Sequence, residues 1–398
     1  MLEEALATQP PSDGSDPGEE VAVKHVYALH TLANLYRQAG DMERALECLE
    51  RGGALATQKQ LPMALAYHYT SIAHLHLQEG RIEESVARYR NAIQLTRRAR
   101  YASGLAQSLR IFGAVLVGLG RHEEALPHLY EAATTFAQLR DPEGEAAAWS
   151  AIGAAEEHLQ SYSAALSAWS RSALLLRKLD NRTGELAALE GLARTTRLHV
   201  PEPALALDCY ERAVQLAETL GEEQAEGRMR NVMGILEWNR GEHARALAHY
   251  ERAFSLFEHL DDDAHAGLML NGIAATLRAL GRSSEAESRL NEALTLHRRS
   301  RQVQLEGHAL GLLGEIHLER GEVEPGAECF TRSLAIRDRT GDRRGAGWMR
   351  HGLARCALAG AAPFRVREHL EAAAAIAAEV DDAELADTCR QLRRIADF

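Results

Sequence analysis

Eighteen histidines and five cysteines are the side chains here most able to hold a metal or attack a substrate. Their spacing favours neither role. No HExxH pair occurs, and His74 and His76 lie two apart, which on a helix aims them at different faces. Most of the other histidines are expected at helix ends and on exposed faces. Cys48, Cys209 and Cys329 share one recurrent position, Cys356 and Cys389 stand apart, and no CxxC is present. The three that share a position read as small core residues, and the cysteine usage as that of a reducing, cytoplasmic compartment. The GxxxxGK[ST] loop, a GxGxxG after a strand and the GxSxG elbow are all missing. The run Gly341 to Gly345 has the composition of a phosphate loop but falls in an ordinary connector. Carboxylates are plentiful, and solvated helix faces account for them. The expectation is a chain that is not an enzyme, with no metal and no cofactor.

The chemistry that remains is recognition, and the elements that must present it repeat. Asn231 to Phe257 reads as two amphipathic helices meeting at Gly241, and near-copies recur every forty residues. Gly40, Gly80, Gly120, Gly241, Gly281 and Gly321 mark the turn, with Gln160, Val200 and Ala361 in its place elsewhere. A one-residue slip occurs around His199-Val200-Pro201. A large-small pair precedes each turn: Leu32-Ala33, Ile72-Ala73, Phe112-Gly113, Ile152-Gly153, Leu192-Ala193, Met233-Gly234, Ile273-Ala274, Leu313-Gly314 and Leu353-Ala354. The small member allows close helix approach. After the turn comes a small residue such as Ala125 or Ala246, then a bulky one four residues on, such as Leu129, Trp169, Tyr250 or Phe330. A second small residue follows three later. These spacings put all of them on one inward helical face.

This arrangement resembles the tetratricopeptide repeat over about Val21 to Ala375. It differs in its forty-residue length, against the commoner thirty-four, and in polar connectors where the family's terminal proline stands. Long copies of this kind are similar to those of bacterial signal-responsive transcription regulators and eukaryotic polarity adaptors. The resemblance implies an all-α fold, a right-handed superhelix (α-solenoid) of about nine helix-turn-helix repeats. The expected organisation is an N-terminal helical remnant and polar loop over 1–20, nine repeats over 21–380 and a capping helix over 381–398. Stacked repeats share a core, so one elongated domain is expected. Leu2 to Gln9 (LEEALATQ) echoes the end of the first repeat at Ala54 to Gln58. It reads either as the remnant of a longer chain or half-repeat cap, or as a frayed helix.

The resemblance also implies a concave face, lined by the first helix of each repeat, that holds an extended peptide or a partner helix. Its positions give Tyr27, His30, Asn34 and Arg37, then Tyr67, Thr70 and His74, then Gln107 and Arg110. Further along they give Ser150, Glu157, Glu190, Arg194, Arg197, Arg228, Asn231, Trp238, Asn271 and Arg278, and last His308, Glu315, Trp348, His351 and Arg355. Asn pairs with a peptide bond through donor and acceptor, Arg clamps a carboxylate, and Trp supplies anchor area. The residues expected to bind are Asn34, His74, Arg110, Arg194, Arg197, Arg228, Asn231, Trp238, Asn271, Arg278 and Arg355. Arg194, Arg197, Arg228, Asn231 and Asn271 form the central cluster of that set. The family's Lys-Asn clamp for chaperone tails is not reproduced, so such a tail is not the expected ligand.

A net charge of −12 disfavours nonspecific nucleic-acid binding. No apolar run approaches the ~20 residues of a membrane span. Two arginine clusters, Arg88 to Arg110 and Arg337 to Arg355, fall where helix C-termini favour positive charge. The function these features suggest is a peptide-binding scaffold or sensor in bacterial signalling or transcription regulation. Its ligand would be an acidic or backbone-presenting peptide. Two alternatives stand beside it: an accessory domain of a larger protease or kinase, and a self-assembling structural solenoid. The oligomeric state is not readable from sequence.

Overall fold

A computed structural model describes residues 17–199 and 203–396. Every regular element among them is an α-helix, nineteen in all. Contacts divide the chain into two compact units, Met1–Pro201 and Glu202–Phe398. In the first unit the helices are α1 (Pro17–Gln38), α2 (Met42–Gln58), α3 (Pro62–Gln78), α4 (Ile82–Arg98), α5 (Ala102–Gly118), α6 (His122–Leu139), α7 (Pro142–His158), α8 (Tyr162–Lys178) and α9 (Arg182–His199). In the second they are α10 (Pro203–Leu220), α11 (Glu223–Asn239), α12 (His243–His259), α13 (Asp263–Ala279), α14 (Ser283–Arg299), α15 (Val303–Glu319), α16 (Val323–Thr340), α17 (Arg343–Ala359), α18 (Pro363–Glu379) and α19 (Ala383–Ile395). The two helices of the fifth copy, α9 and α10, thus fall in different units. Leu2 to Gln9 and the Val200 turn position lie outside the described residues.

The backbone repeats at half the period of the sequence. Gly40, Gly80 and Gly120 adopt left-handed φ of 81°, 75° and 74°, and so do the non-glycine residues midway between and beyond them: Gln60 at 55°, Arg100 at 52° and Arg140 at 54°. The cap is the same in each case. The amide just after the left-handed residue bonds back to the carbonyl five positions earlier, as in Asp41 N to Tyr36 O (2.9 Å) and Arg121 N to Leu116 O (2.8 Å). Aspartates then start several of the next helices. Asp41, Asp141, Asp262, Asp342 and Asp382 each accept a backbone N–H from three residues on.

Packing follows the predicted register. The bulky residues Leu49, Tyr89, Leu129, Trp169, Tyr210, Tyr250, Leu290 and Phe330 are all buried, as are the small residues before and after them. Their partners are now visible. A Cβ on Gly153 would come within 2.7 Å of the Trp169 ring, and one on Gly234 within 2.6 Å of Tyr250. From the other side Gly191 and Gly272 press on the same two rings, at 2.6 and 3.1 Å. Each ring is therefore clamped between a small residue of its own copy and one of the next.

Some expectations change. Cys48, Cys329, Cys356 and Cys389 are buried, but Cys209 is only half-buried. The histidines are not mostly exposed: His68, His76, His297 and His351 are buried, and eight more are half-buried. Several arginines of the two clusters are partners for carboxylates. Arg90 reaches Glu124 at 2.8 Å, Arg97 Glu131 at 2.7 Å, Arg343 Glu379 at 2.7 Å and Arg344 Asp382 at 2.7 Å. Sequence separations of 34 to 38 show that these pairs link adjacent copies. Helix-end charge alone does not explain them.

Candidate ligand-binding face

In the first unit the odd-numbered helices α1, α3 and α5 are the leading helices of the first three copies. In these three copies the residues one and four past the small member of each pair are half-buried or exposed. Asn34 and Arg37 of α1 and Thr70, Ser71 and His74 of α3 line one cavity with Ala33, Leu49, Leu75 and Ile111. Its polar groups are linked. His30 Nε2 lies 2.9 Å from Ser71 Oγ, Asn34 Nδ2 lies 3.4 Å from His30 Nδ1, and His74 Nδ1 meets the Tyr89 hydroxyl at 2.9 Å. Burial, and then the neighbouring His68, lower the pKa of His30, so the imidazole in this network is neutral at pH 7. Burial raises the Tyr89 hydroxyl to about 12, so it is protonated and able to donate to His74. No Asp or Glu lines the cavity, and Arg37 is its one cation.

A second cavity adjoins it across Thr70 and Ile111. Met63, Ala66, Tyr67, Thr96, Tyr101, Gly104, Gln107 and Ser108 complete its lining. Gln107 in turn accepts from Arg110 Nε at 3.3 Å, and burial lowers the pKa of that arginine. Asn34, His74 and Arg110 thus belong to one face of the first unit. Ser71, Tyr101 and Ile111 complete that face, and the predicted positions did not include them. Ile111 lies two residues before Gly113, one helical position away from the predicted line, and Tyr101 sits in a connector.

The other predicted residues stand differently. Arg194 is bound by Glu157, with contacts of 2.7 and 3.2 Å, and Thr195 donates to the same carboxylate at 2.6 Å. Arg197 is exposed at the end of α9. Arg228, Asn231 and Asn271 lie in the second unit, Arg228 exposed and Asn231 half-buried. Asn271 must be corrected: it is only 2% exposed and its Nδ2 points to the Leu305 carbonyl at 3.5 Å, so it packs inside and does not face a ligand. His351 is likewise buried. Trp238 packs on His243 with the rings tilted by 51° and their centroids 4.7 Å apart. Arg278 is held by Glu319 at 2.9 Å and Arg355 by Glu315 at 2.7 Å. A cleft in the second unit, lined by His308, Glu315, Arg337, Asp342, Arg344 and Trp348, carries both signs of charge. There Arg337 pairs with Asp342, and Asp382 takes both Arg344 and the Trp348 N–H.

No group of three or more His, Cys, Asp or Glu able to hold a metal occurs among the described residues. No described helix is long and apolar enough to cross a membrane.

A family model described as tetratricopeptide repeat matches residues 62–138 and 225–299, and a second of the same description matches residues 28–61. No curated protein matches the sequence. Among solved structures, a signal transduction ATPase with numerous domains and a tetratricopeptide repeat sensor, from Pyrococcus horikoshii, is similar with a TM-score of 0.61 at 13% identity. The match takes in 94% of this chain and 55% of that one, so this chain spans about half the length of the archaeal protein. Aspartyl phosphate phosphatase F from Bacillus subtilis matches with a TM-score of 0.54 at 13% identity, over 94% of this chain and 97% of that chain. At such identities the likeness speaks for the fold. Repeat register, clamped rings and family models agree: the chain is an all-α array of helix pairs that carries tetratricopeptide repeats over residues 28–138 and 225–299.

Proposed function

We propose that this chain is a non-enzymatic, cytoplasmic peptide-binding module, a sensor or scaffold in bacterial signalling or transcription regulation, and that its ligand lies on the leading-helix face of the first unit. The observation that carries this reading is the cavity of Asn34, Arg37, Thr70, Ser71 and His74. It offers an amide, a guanidinium, hydroxyls and an imidazole together, with no carboxylate among them. A peptide presents amide donors and acceptors, and an acidic side chain or terminus would meet the guanidinium. Within the earlier set of contacts, the binding role now rests on Asn34, His74 and Arg110. Arg194, Arg278 and Arg355 already hold carboxylates and serve the packing of copies.

The test is a selection of displayed random peptides on the full chain, followed by affinity measurement on an Asn34→Ala/Arg37→Glu variant. Charge-assisted hydrogen bonds contribute about 1.5–3 kcal/mol each, so a loss of at least about tenfold is expected. Unchanged affinity would place the ligand elsewhere. A second reading makes the repeats the interaction arm of a larger signalling enzyme. The Pyrococcus match favours it, because that protein joins a repeat sensor to an ATPase.

A further inference from the structure

We infer that the face of the first unit selects a peptide carrying one large apolar side chain beside an acidic group, the apolar side chain entering the slot between α3 and α5. This deepens the proposed function and rests on it. The slot encloses about 40 Å³, the room of about three waters at roughly 10–15 Å³ each and far below the about 300–1,000 Å³ of small-molecule sites. That volume suits a single side chain better than a cofactor.

The lining is apolar by construction. Ala66, Gly104 and Ser108 are small, and Met63, Tyr67, Tyr101 and Ile111 are the bulky residues around them. Thr70 and Thr96 are polar in name only here. Their hydroxyls donate to the helix carbonyls of Ala66 at 3.0 Å and of Ala92 and Ile93 at 3.1 and 3.0 Å. Tyr101 owes its place to Gly104, because a Cβ at that glycine would come within 2.2 Å of the ring. Meanwhile Met63 and Tyr67 remain 39% and 47% exposed. Two large apolar residues flanking a slot on one face gain by covering, at roughly 25 cal/mol per Å² of apolar surface removed from water.

Charge fixes the other half of the occupant. The chain carries 57 acidic residues and a net charge of −12. Yet α3 (PMALAYHYTSIAHLHLQ) and α5 (ASGLAQSLRIFGAVLVG), seventeen residues each, contain no Asp or Glu. The cations on this face are Arg37 and Arg110, and Arg37 lies in the cavity that shares Thr70 and Ile111 with the slot. An apolar group in the slot therefore brings the adjoining part of a peptide to Arg37. An acidic residue there gains a charge-assisted partner, whereas a basic one meets repulsion.

A positional-scanning peptide library tests this on the full chain, wild type beside Tyr67→Ala and Arg37→Glu, with thermal melts to confirm that each variant folds. The wild type should prefer Leu, Ile, Met or Phe at one position and Asp, Glu or a free C-terminus close by, each about tenfold over Ala. Tyr67→Ala should flatten the apolar preference and keep the acidic one, and Arg37→Glu should do the reverse. Should Tyr67→Ala fail to fold, Met63→Ala gives the same reading. Peptides that bind and are lost with Asn34→Ala/Arg37→Glu, but show no apolar preference, overturn the slot and leave the proposed function standing. A library with no binder at all overturns both.

Discussion

His297 of α14 is 1% exposed, neither ring nitrogen has a hydrogen-bond partner, and the ring lies against Gly267, where a Cβ would come within 2.8 Å. Burial holds its pKa at about 4, below the ordinary 6.5. The unfolded chain therefore takes up a proton between those values that the folded chain refuses, so stability is full above pH 6.5 and declines as pH falls towards 4. His297→Leu should remove part of that decline. Melts at steps from pH 7 to 4.5 check it, and parallel curves for wild type and variant would contradict it. The sequence did hold the signal for this burial. Seven residues after each bulky helix residue come Phe136, Leu176, Phe257 and then His297, a core position in every copy named. Reading histidines as scattered surface groups overlooked the register. Asn271 misled for a related reason: its position counts as ligand-facing, yet the chain buries it, and sequence spacing alone does not show how deeply a helix sits.

At the scale of elements, the helix-turn-helix register was legible because position-specific small residues recur, and only packing demands that. The half-period was not. Glycine marks most turns between the helices of a copy, but Gln60, Arg100, Asp261 and Arg301 take left-handed φ of 55°, 52°, 54° and 58° in connectors between copies, where nothing in the sequence flags it. A left-handed backbone costs a non-glycine residue roughly 1–2 kcal/mol. Arg301→Gly, at an exposed site, should therefore raise stability by about 1 kcal/mol in a denaturant titration, and a lower midpoint would show that the side chain contributes more than the strain. The clamped rings predict the opposite sign. Gly153→Ala places a methyl against Trp169, which is already pressed by Gly191, and should lose about 1–3 kcal/mol by overpacking. An unchanged melt would mean that the ring has room to move.

At the scale of the molecule, helices within each unit pack on neighbours one or two places along the chain, and ion pairs such as Arg90–Glu124 join adjacent copies. Stability in such an array is close to a sum of local terms. Gly314→Ala, which would crowd Phe330 at 2.8 Å, should raise hydrogen exchange in α15 to α17 and leave α1 to α3 unchanged. Uniform acceleration would contradict that locality. The fold was thus nearly complete in the sequence. The proposed binding face was legible only in part: three of the eleven predicted residues, Asn34, His74 and Arg110, share one face of the first unit. Others, such as Arg194, proved committed to carboxylates whose side-chain positions no linear pattern reveals. The central claim is that the first unit's leading helices carry the ligand. Hydrogen–deuterium exchange of the full chain, with and without a selected peptide, tests it most directly. The prediction is protection concentrated in α1, α3 and α5. Protection confined to α11 to α19, or to the even-numbered helices of the first unit, would contradict it.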